Sequence, residues 1–221
     1  MIIQQKFNYQ PLQRIDTENG RRYIVDGGRP LPSVTTILSK TKDMTHLQEW
    51  VDRVGEAEAE RIKHEASDLG SGMHQNLENY ILGKDMAGTF MAKALAKVII
   101  KQGLSKVSEV WGTEVALYTK DLYAGTTDLI GIHDGIPSIM DFKNSLRPKE
   151  RDWIEDYFMQ LAAYALSHNE MYGTSINRGV VMIATRDAKY QEFVIEGAEF
   201  KHYETMWANK VCAYYDQYGM A

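Results

Sequence analysis

Residues 124–145, AGTTDLIGIHDGIPSIMDFKNS, constrain the fold more than any other stretch of the chain. Two apolar, β-branched runs flank Asp134-Gly135, a dipeptide suited to the positive backbone angles of a two-residue hairpin turn. Such a turn fixes the register and sets Asp128 directly opposite Asp141, side chains on one face and Cβ atoms roughly 5 Å apart. Two carboxylates so placed repel, and desolvation in an apolar sheet makes the repulsion worse. A hard divalent cation with oxygen ligands is the natural relief.

Lys143 follows Asp141 by two residues, so strand alternation points it to the same face. Leu129, Met140 and Phe142 point the other way, while Ile130, Ile132 and Ile139 share the aspartates' face. The polar cluster is therefore confined to one end of the hairpin, where a cleft can open. A lone Asp-x-Lys is commonly a surface ion pair on an edge strand. Apolar residues on both faces of both strands argue for central strands instead, and an ammonium beside paired acids can stabilise charge on a phosphate.

The rest of the chain supplies a mixed frame. Residues 11–27 read as a hairpin around Glu18-Asn19-Gly20, and Ser33 as the N-cap of a short helix carrying Val34, Ile37 and Leu38. Thr45 to Leu82 is helix-like, interrupted by Gly55 and by Gly70-Ser71-Gly72, and residues 88–102 form another helix. Strands are expected at Val110 to Tyr118, Tyr123 to His133, Ile136 to Asn144, Arg178 to Thr185 and Gln191 to Ile195. Helices are expected at Trp153 to His168 and Glu199 to Gln217. The order implies an α/β core with an N-terminal helical elaboration: one domain over residues 1–221, with a hairpin and helical part at 1–108 and the core at 109–221.

One cysteine, Cys212, excludes an internal disulfide and a four-cysteine iron–sulfur or zinc site. The beginning, MIIQQKFNYQ, has no basic segment followed by a long apolar one, and lysines interrupt Ala92 to Ile100. Neither a signal peptide nor a membrane contact is expected, and the compartment reads as cytoplasmic. A net charge of −5 argues against a nucleic-acid ligand. It weighs little, because acids gather at metal sites and net charge is silent on local patches. Lys93, Lys97, Lys101 and Lys106, then Arg147, Lys149 and Arg151, form short basic groups whose simplest reading is solvated helix faces. Tyr80, Phe90 and Trp111 read as core residues, with base stacking as the alternative. G-x-S-x-G, P-loop and H-E-x-x-H motifs are absent.

Gly125-Thr126-Thr127-Asp128, Asp141-Phe142-Lys143 and Gln160-x-x-x-Tyr164, in that order, resemble the nuclease core of the RecB-type branch of the PD-(D/E)XK superfamily. Gly70-Ser71-Gly72-Met73-His74 with Glu78 resembles that branch's N-terminal histidine motif. Leu31 to Leu38, with Trp50, Arg53, Gly55, Glu56 and Ala57, resembles the mitochondrial genome maintenance exonucleases and their bacteriophage relatives. The likeness spans roughly residues 22–185.

The resemblance implies a restriction-endonuclease-like αβββαβ core with a central mixed sheet flanked by helices. It implies His74, Asp128, Asp141 and the Phe142 carbonyl as ligands of one or two Mg²⁺ or Mn²⁺ ions, without an iron–sulfur cluster. It makes Lys143 the catalytic lysine, with Gln160 and Tyr164 orienting it or meeting a phosphate, and Glu114 as an acidic residue of lower rank. His74 depends on the resemblance, since a histidine on an Ala- and Gly-rich helix otherwise reads as packing. Lys93, Lys97 and Lys101, four apart and so on one helix face, together with Ser145 and Arg147, are candidate substrate contacts. The implied activity is exonucleolytic hydrolysis of DNA, single-stranded with free ends, in a bacterial or phage-infected cell, with replication or recombination proteins as partners. The alternatives are a double-strand 5′→3′ recombination exonuclease of the lambda type and a non-catalytic nucleic-acid-binding module.

Overall fold

The computed structural model describes residues 1–219, apart from the side chains of residues 46 and 47. A short strand, β1 (Ile2–Ile3), precedes the hairpin of β2 (Gln13–Thr17) and β3 (Gly20–Ile24), and β4 (Pro30–Pro32) completes a three-stranded antiparallel sheet. The hairpin turns at Glu18-Asn19 as expected, with Thr17 paired to Gly20. Ser33 then caps α1 (Val34–Lys40), its hydroxyl accepting from the Thr36 amide at 2.9 Å.

Helix α2 (Thr45–Val54) stops at Gly55, whose φ of 86° a helix cannot contain. Helix α3 (Glu56–Ile81) corrects the sequence expectation, because it runs unbroken through Gly70-Ser71-Gly72. These glycines serve approach rather than interruption. A Cβ at Gly70 would lie 2.8 Å from Asn144 Nδ2, and one at Gly72 would lie 3.0 Å from the Ala92 Cβ. Each glycine costs the helix up to about 1 kcal/mol relative to alanine, a cost that close packing offsets. Thr89 caps α4 (Phe90–Gln102).

The main sheet comprises β5 (Val107–Thr119), β6 (Tyr123–His133), β7 (Ile136–Ser145), β8 (Arg178–Thr185) and β9 (Tyr190–Glu196), with α5 (Glu155–Tyr172) between β7 and β8 and α6 (Gly197–Tyr218) last. Its order is β1-β5-β6-β7-β8-β9, so β6 and β7 are central, as their two-sided apolar pattern requires. β7 and β8 run parallel, joined over one face by α5, while the other long pairings are antiparallel. β1 pairs parallel with β5 and was not anticipated, since two residues carry no periodicity. Helix α5 begins two residues later than expected, after a 3-10 turn at Arg151–Trp153 that leaves Trp153 exposed.

Alternation along the central strands builds two cores. Ile130 and Ile139 pack with Ile37 of α1, Phe158 and Leu161 of α5 and Trp207 of α6. Leu129, Met140 and Phe142 pack with Met73 and Leu77 of α3 and with Leu95 and Ile99 of α4. The fold is thus mixed α/β, a central mixed sheet with helices on both faces. Truncating any of these buried aliphatic side chains to alanine should cost about 2–5 kcal/mol. Trp111 belongs to the core, whereas Tyr80 and Phe90 do not: their side chains stand 45% and 85% exposed. Among the described residues no helix is long and apolar enough to cross a membrane.

One feature of register positions the site. β6 and β7 pair from His133↔Ile136 up to Leu129↔Met140; beyond that level β6 pairs only with β5 and β7 only with β8. The two central strands fork there.

His168 of α5 holds the N-terminal segment. It is fully buried, its Nε2 hydrogen-bonds the Tyr9 hydroxyl at 3.0 Å and its Nδ1 bonds the Thr174 hydroxyl at 2.7 Å. Burial pushes its pKa down to about 4. In the unfolded chain an imidazole titrates near 6.5, so the unfolded state takes up a proton that the folded state refuses. Stability is complete above about pH 6.5 and is lost as pH falls from there toward 4. Urea unfolding should show the parent losing about 2–3 kcal/mol more than His168→Gln between neutral pH and pH 4; equal losses would remove His168 as the cause.

Candidate metal centre

Three acids stand at one level on three neighbouring strands. The pair Leu129↔Met140 adjoins Asp128 on β6 and Asp141 on β7, and the pairs Thr113↔Leu129 and Val115↔Thr127 bracket Glu114 on β5 opposite Asp128. Glu114 has a left-handed backbone, φ 48°, which is uncommon for a residue with a side chain and strained within a strand. This row forms the floor of an open cavity of about 550 Å³.

The fork explains the local bonding. With β6 and β7 parted, the Phe142 amide donates to Asp128 Oδ2 at 2.6 Å instead of to a strand carbonyl. Asp128 Oδ1 lies 3.3 Å from His74 Nδ1, delivered by α3 from the opposite face of the sheet. Asp141 is 1% exposed; its Oδ2 lies 2.5 Å from Lys143 Nζ, but no well-oriented hydrogen bond satisfies that oxygen. Lys143 also reaches Gln160 Oε1 at 3.5 Å, and Gln160 Nε2 reaches the Tyr164 hydroxyl at 3.4 Å. The sequence thus set Asp128, Asp141 and Lys143 on one face, and the structure brings them together with His74, Gln160 and Tyr164.

The electrostatics are those of crowded, half-compensated acids. Burial pushes Asp141 up to about 6, with Asp128 adding to the rise and Lys143 opposing it. Burial, then Asp128, raises Glu114 to about 7 although its residue still meets solvent. Burial disfavours charge on Asp128 too, but His74, Lys143 and the Phe142 amide outweigh it and hold that carboxyl below the usual range. Desolvation would depress His74, yet Asp128 lifts it to about 9. In the metal-free protein a proton on His74 supplies the positive charge that Asp128 demands.

His74, Glu114 and Asp128 each offer a donor atom, all within 4.8 Å of one another, so the group could hold a metal ion. Asp141, at the same level and held by Lys143, adds a further carboxylate beside that group. Glu114, ranked below the others on sequence, is thus one of the three grouped donors. A second histidine–acid group, His133, Asp134 and Glu192, is already compensated: Lys106 lies 2.7 Å from Glu192 and Arg178 Nη1 lies 3.2 Å from His133 Nδ1.

Other expected residues lie apart from the cavity lining. Lys93, Lys97 and Lys101 sit on α4, Arg147 is exposed in the loop after β7, and the Ser145 hydroxyl donates to the Arg147 carbonyl at 2.7 Å. The Phe142 side chain packs in the α3/α4 core, its ring centroid 6.2 Å from that of His74. Three contributors were not read from sequence. The Tyr157 ring centroid lies 4.9 Å from Lys143 Nζ, and Arg14 and Arg21 of the hairpin line the cavity. Tyr157 was legible only as part of an apolar helix face. The arginines belong to a hairpin whose docking on β6 no local pattern announces.

Two solved structures overlap most of the chain. SSO0001 shares 16% identity with a TM-score of 0.47, covering 84% of this chain and 76% of that one. A "Putative exonuclease" from Eubacterium rectale shares 14% identity with a TM-score of 0.41, covering 82% and 71%. No family model and no curated protein matches.

Glu114 offers a direct check on the crowding. A carboxyl with a raised folded pKa loses stability as pH rises from its unfolded value through 7. In EDTA, Glu114→Gln should therefore have nearly the parent's Tm near pH 5 and a higher one at pH 8, by an amount that solvent screening keeps small. A variant less stable than the parent at pH 8 would show the carboxylate to be a structural ligand of its surroundings.

Proposed function

We propose that this chain is a divalent-metal-dependent DNA exonuclease with a PD-(D/E)XK core of the RecB type, acting on single strands with free ends. The observation that carries the reading is the row Glu114, Asp128 and Asp141 at the strand fork, with Lys143 on Asp141 and His74 on Asp128. All three acids line one open cavity, and Glu114 and Asp141 hold their protons more tightly than ordinary carboxyls, the mark of a site that concentrates negative charge. In this reading residues 109–221 are the catalytic core, residues 1–108 its hairpin and helical elaboration, and the setting is the cytoplasm of a bacterial or phage-infected cell.

His74, Asp128, Asp141, Glu114 and the Phe142 carbonyl would hold one or two Mg²⁺ or Mn²⁺ ions. A cation there would supply Lewis-acid polarisation of a phosphate and lower the pKa of a bound water. The side chains do the rest. Asp141 keeps Lys143 charged despite burial, since the lysine's pKa is raised even though desolvation pulls it down. Lys143 can thus offset charge that develops on phosphate oxygens. Gln160, the Tyr157 ring and, behind Gln160, Tyr164 restrict where that ammonium can point. Ser145, Arg147 and the α4 lysines are at most outlying contacts for a strand.

On end-labelled single-stranded DNA with Mn²⁺, the protein should release short products, and EDTA should stop it. Asp141→Ala should abolish turnover and Lys143→Met should slow it on the order of 10²–10³-fold, with DNA binding largely retained. Preference for blunt duplex ends would move the assignment to a recombination-type exonuclease, and cutting of closed circles to an endonuclease. Undiminished cleavage in EDTA would falsify the metal mechanism, and binding without any turnover would leave a recognition module.

Metal and proton should also compete. Binding must displace protons held by His74 at about 9 and Glu114 at about 7. The Tm increase produced by Mn²⁺ should therefore be larger at pH 8 than at pH 6, and should vanish in Asp128→Asn.

A further inference from the structure

The wall of the cavity opposite the acids is made by the β2–β3 hairpin. Pairs Arg14↔Tyr23 and Asp16↔Arg21, together with strand alternation, put these four side chains on one face. That face is turned to the metal centre, since Arg14, Arg21 and Tyr23 line the same cavity as Asp128, Asp141 and Lys143. The hairpin is held there firmly. The buried Tyr23 hydroxyl lies 3.1 Å from Thr126 Oγ1, two residues before Asp128, and Ser33 bridges to Ala124. The carbonyl of Arg21 accepts from both the Ser33 amide at 2.9 Å and the Thr36 hydroxyl at 3.0 Å.

The charged tips are by contrast loosely held. Arg14 and Arg21 both turn to Asp16, each at 3.2 Å, with side chains 52%, 42% and 61% exposed. Solvent screens such pairs, so either arginine can exchange its carboxylate for another anion. Two guanidinium groups around one carboxylate leave one positive charge unbalanced, on a chain whose net charge is −5. Arginine is suited to this exchange, because its planar fork accommodates a carboxylate and a phosphate alike.

We propose that Arg14 and Arg21 form a phosphate clamp, gripping a backbone phosphate of the strand next to the one presented to Asp128, Asp141 and Lys143, with Asp16 holding the two arginines in place until the strand arrives. The proposal rests on the nuclease reading and adds to it the element that binds the strand. It also answers how an acidic chain holds a polyanion: Lys143 stands beside the acids, and the two hairpin arginines add positive charge to the same cavity.

The test is the affinity of the full chain for a fluorescent single-stranded oligonucleotide, with Ca²⁺ in place of Mn²⁺, across a salt series. Arg14→Gln/Arg21→Gln should weaken binding roughly tenfold or more and flatten the salt dependence by a slope of about one. Asp16→Asn, which removes the competing carboxylate, should tighten binding. A merely structural hairpin would move both variants in the same direction. Affinity of the double variant within twofold of the parent at unchanged slope, or weakening by Asp16→Asn, overturns the clamp. If the parent itself neither binds nor cuts DNA, the nuclease reading falls and the clamp with it. If the parent cuts DNA and the arginine variants bind as well as it does, only the clamp falls.

Discussion

Carboxylates brought to one level on adjacent strands repel, and burial removes the water that would soften the repulsion. Around Asp128 and Asp141 the protein compensates this with Lys143 at 2.5 Å and His74 at 3.3 Å rather than by moving the acids apart. Glu114 has no ion-pair partner among the described residues and holds its proton more tightly. The result is a site that tolerates its own charge without extinguishing it. Such poise suits a group that could hold a cation.

The strand fork makes that arrangement reachable. Had β6 and β7 stayed paired beyond Leu129↔Met140, Asp128 and Asp141 would have lain within a continuous sheet under helices. Because the strands part, a helix on either face can contribute to one point. Helix α3 brings His74 from one side, and α5 brings Tyr157, Gln160 and Tyr164 from the other. Glycines set these approaches. Gly70 lets α3 lie against Asn144, and a Cβ at Gly125 would lie 2.7 Å from Tyr164 Cε1.

The acids that make the chain negative gather partly along the cavity, whose lining also includes two arginines of the β2–β3 hairpin. The lysines of α4, evenly spaced and conspicuous in the sequence, are directed elsewhere. Periodicity reports which side of a helix a residue occupies, but not which way that helix faces.

The central hairpin was legible from the sequence because its determinants are local. Asp134-Gly135 admits only a tight turn, the turn fixes the register, and alternation does the rest; His133↔Ile136 and Leu129↔Met140 pair as that logic requires. The cap at Ser33 and the stop at Gly55 were legible for the same reason. Gly70-Ser71-Gly72 misled, because a glycine that breaks a helix and one that lets it pack closely look alike until the neighbour is known. The positive φ of Glu114, the arrival of His74 from the far face and the seating of Arg14 and Arg21 over the acids were decided by tertiary structure. Each depends on contacts between segments distant along the chain, which no local pattern encodes.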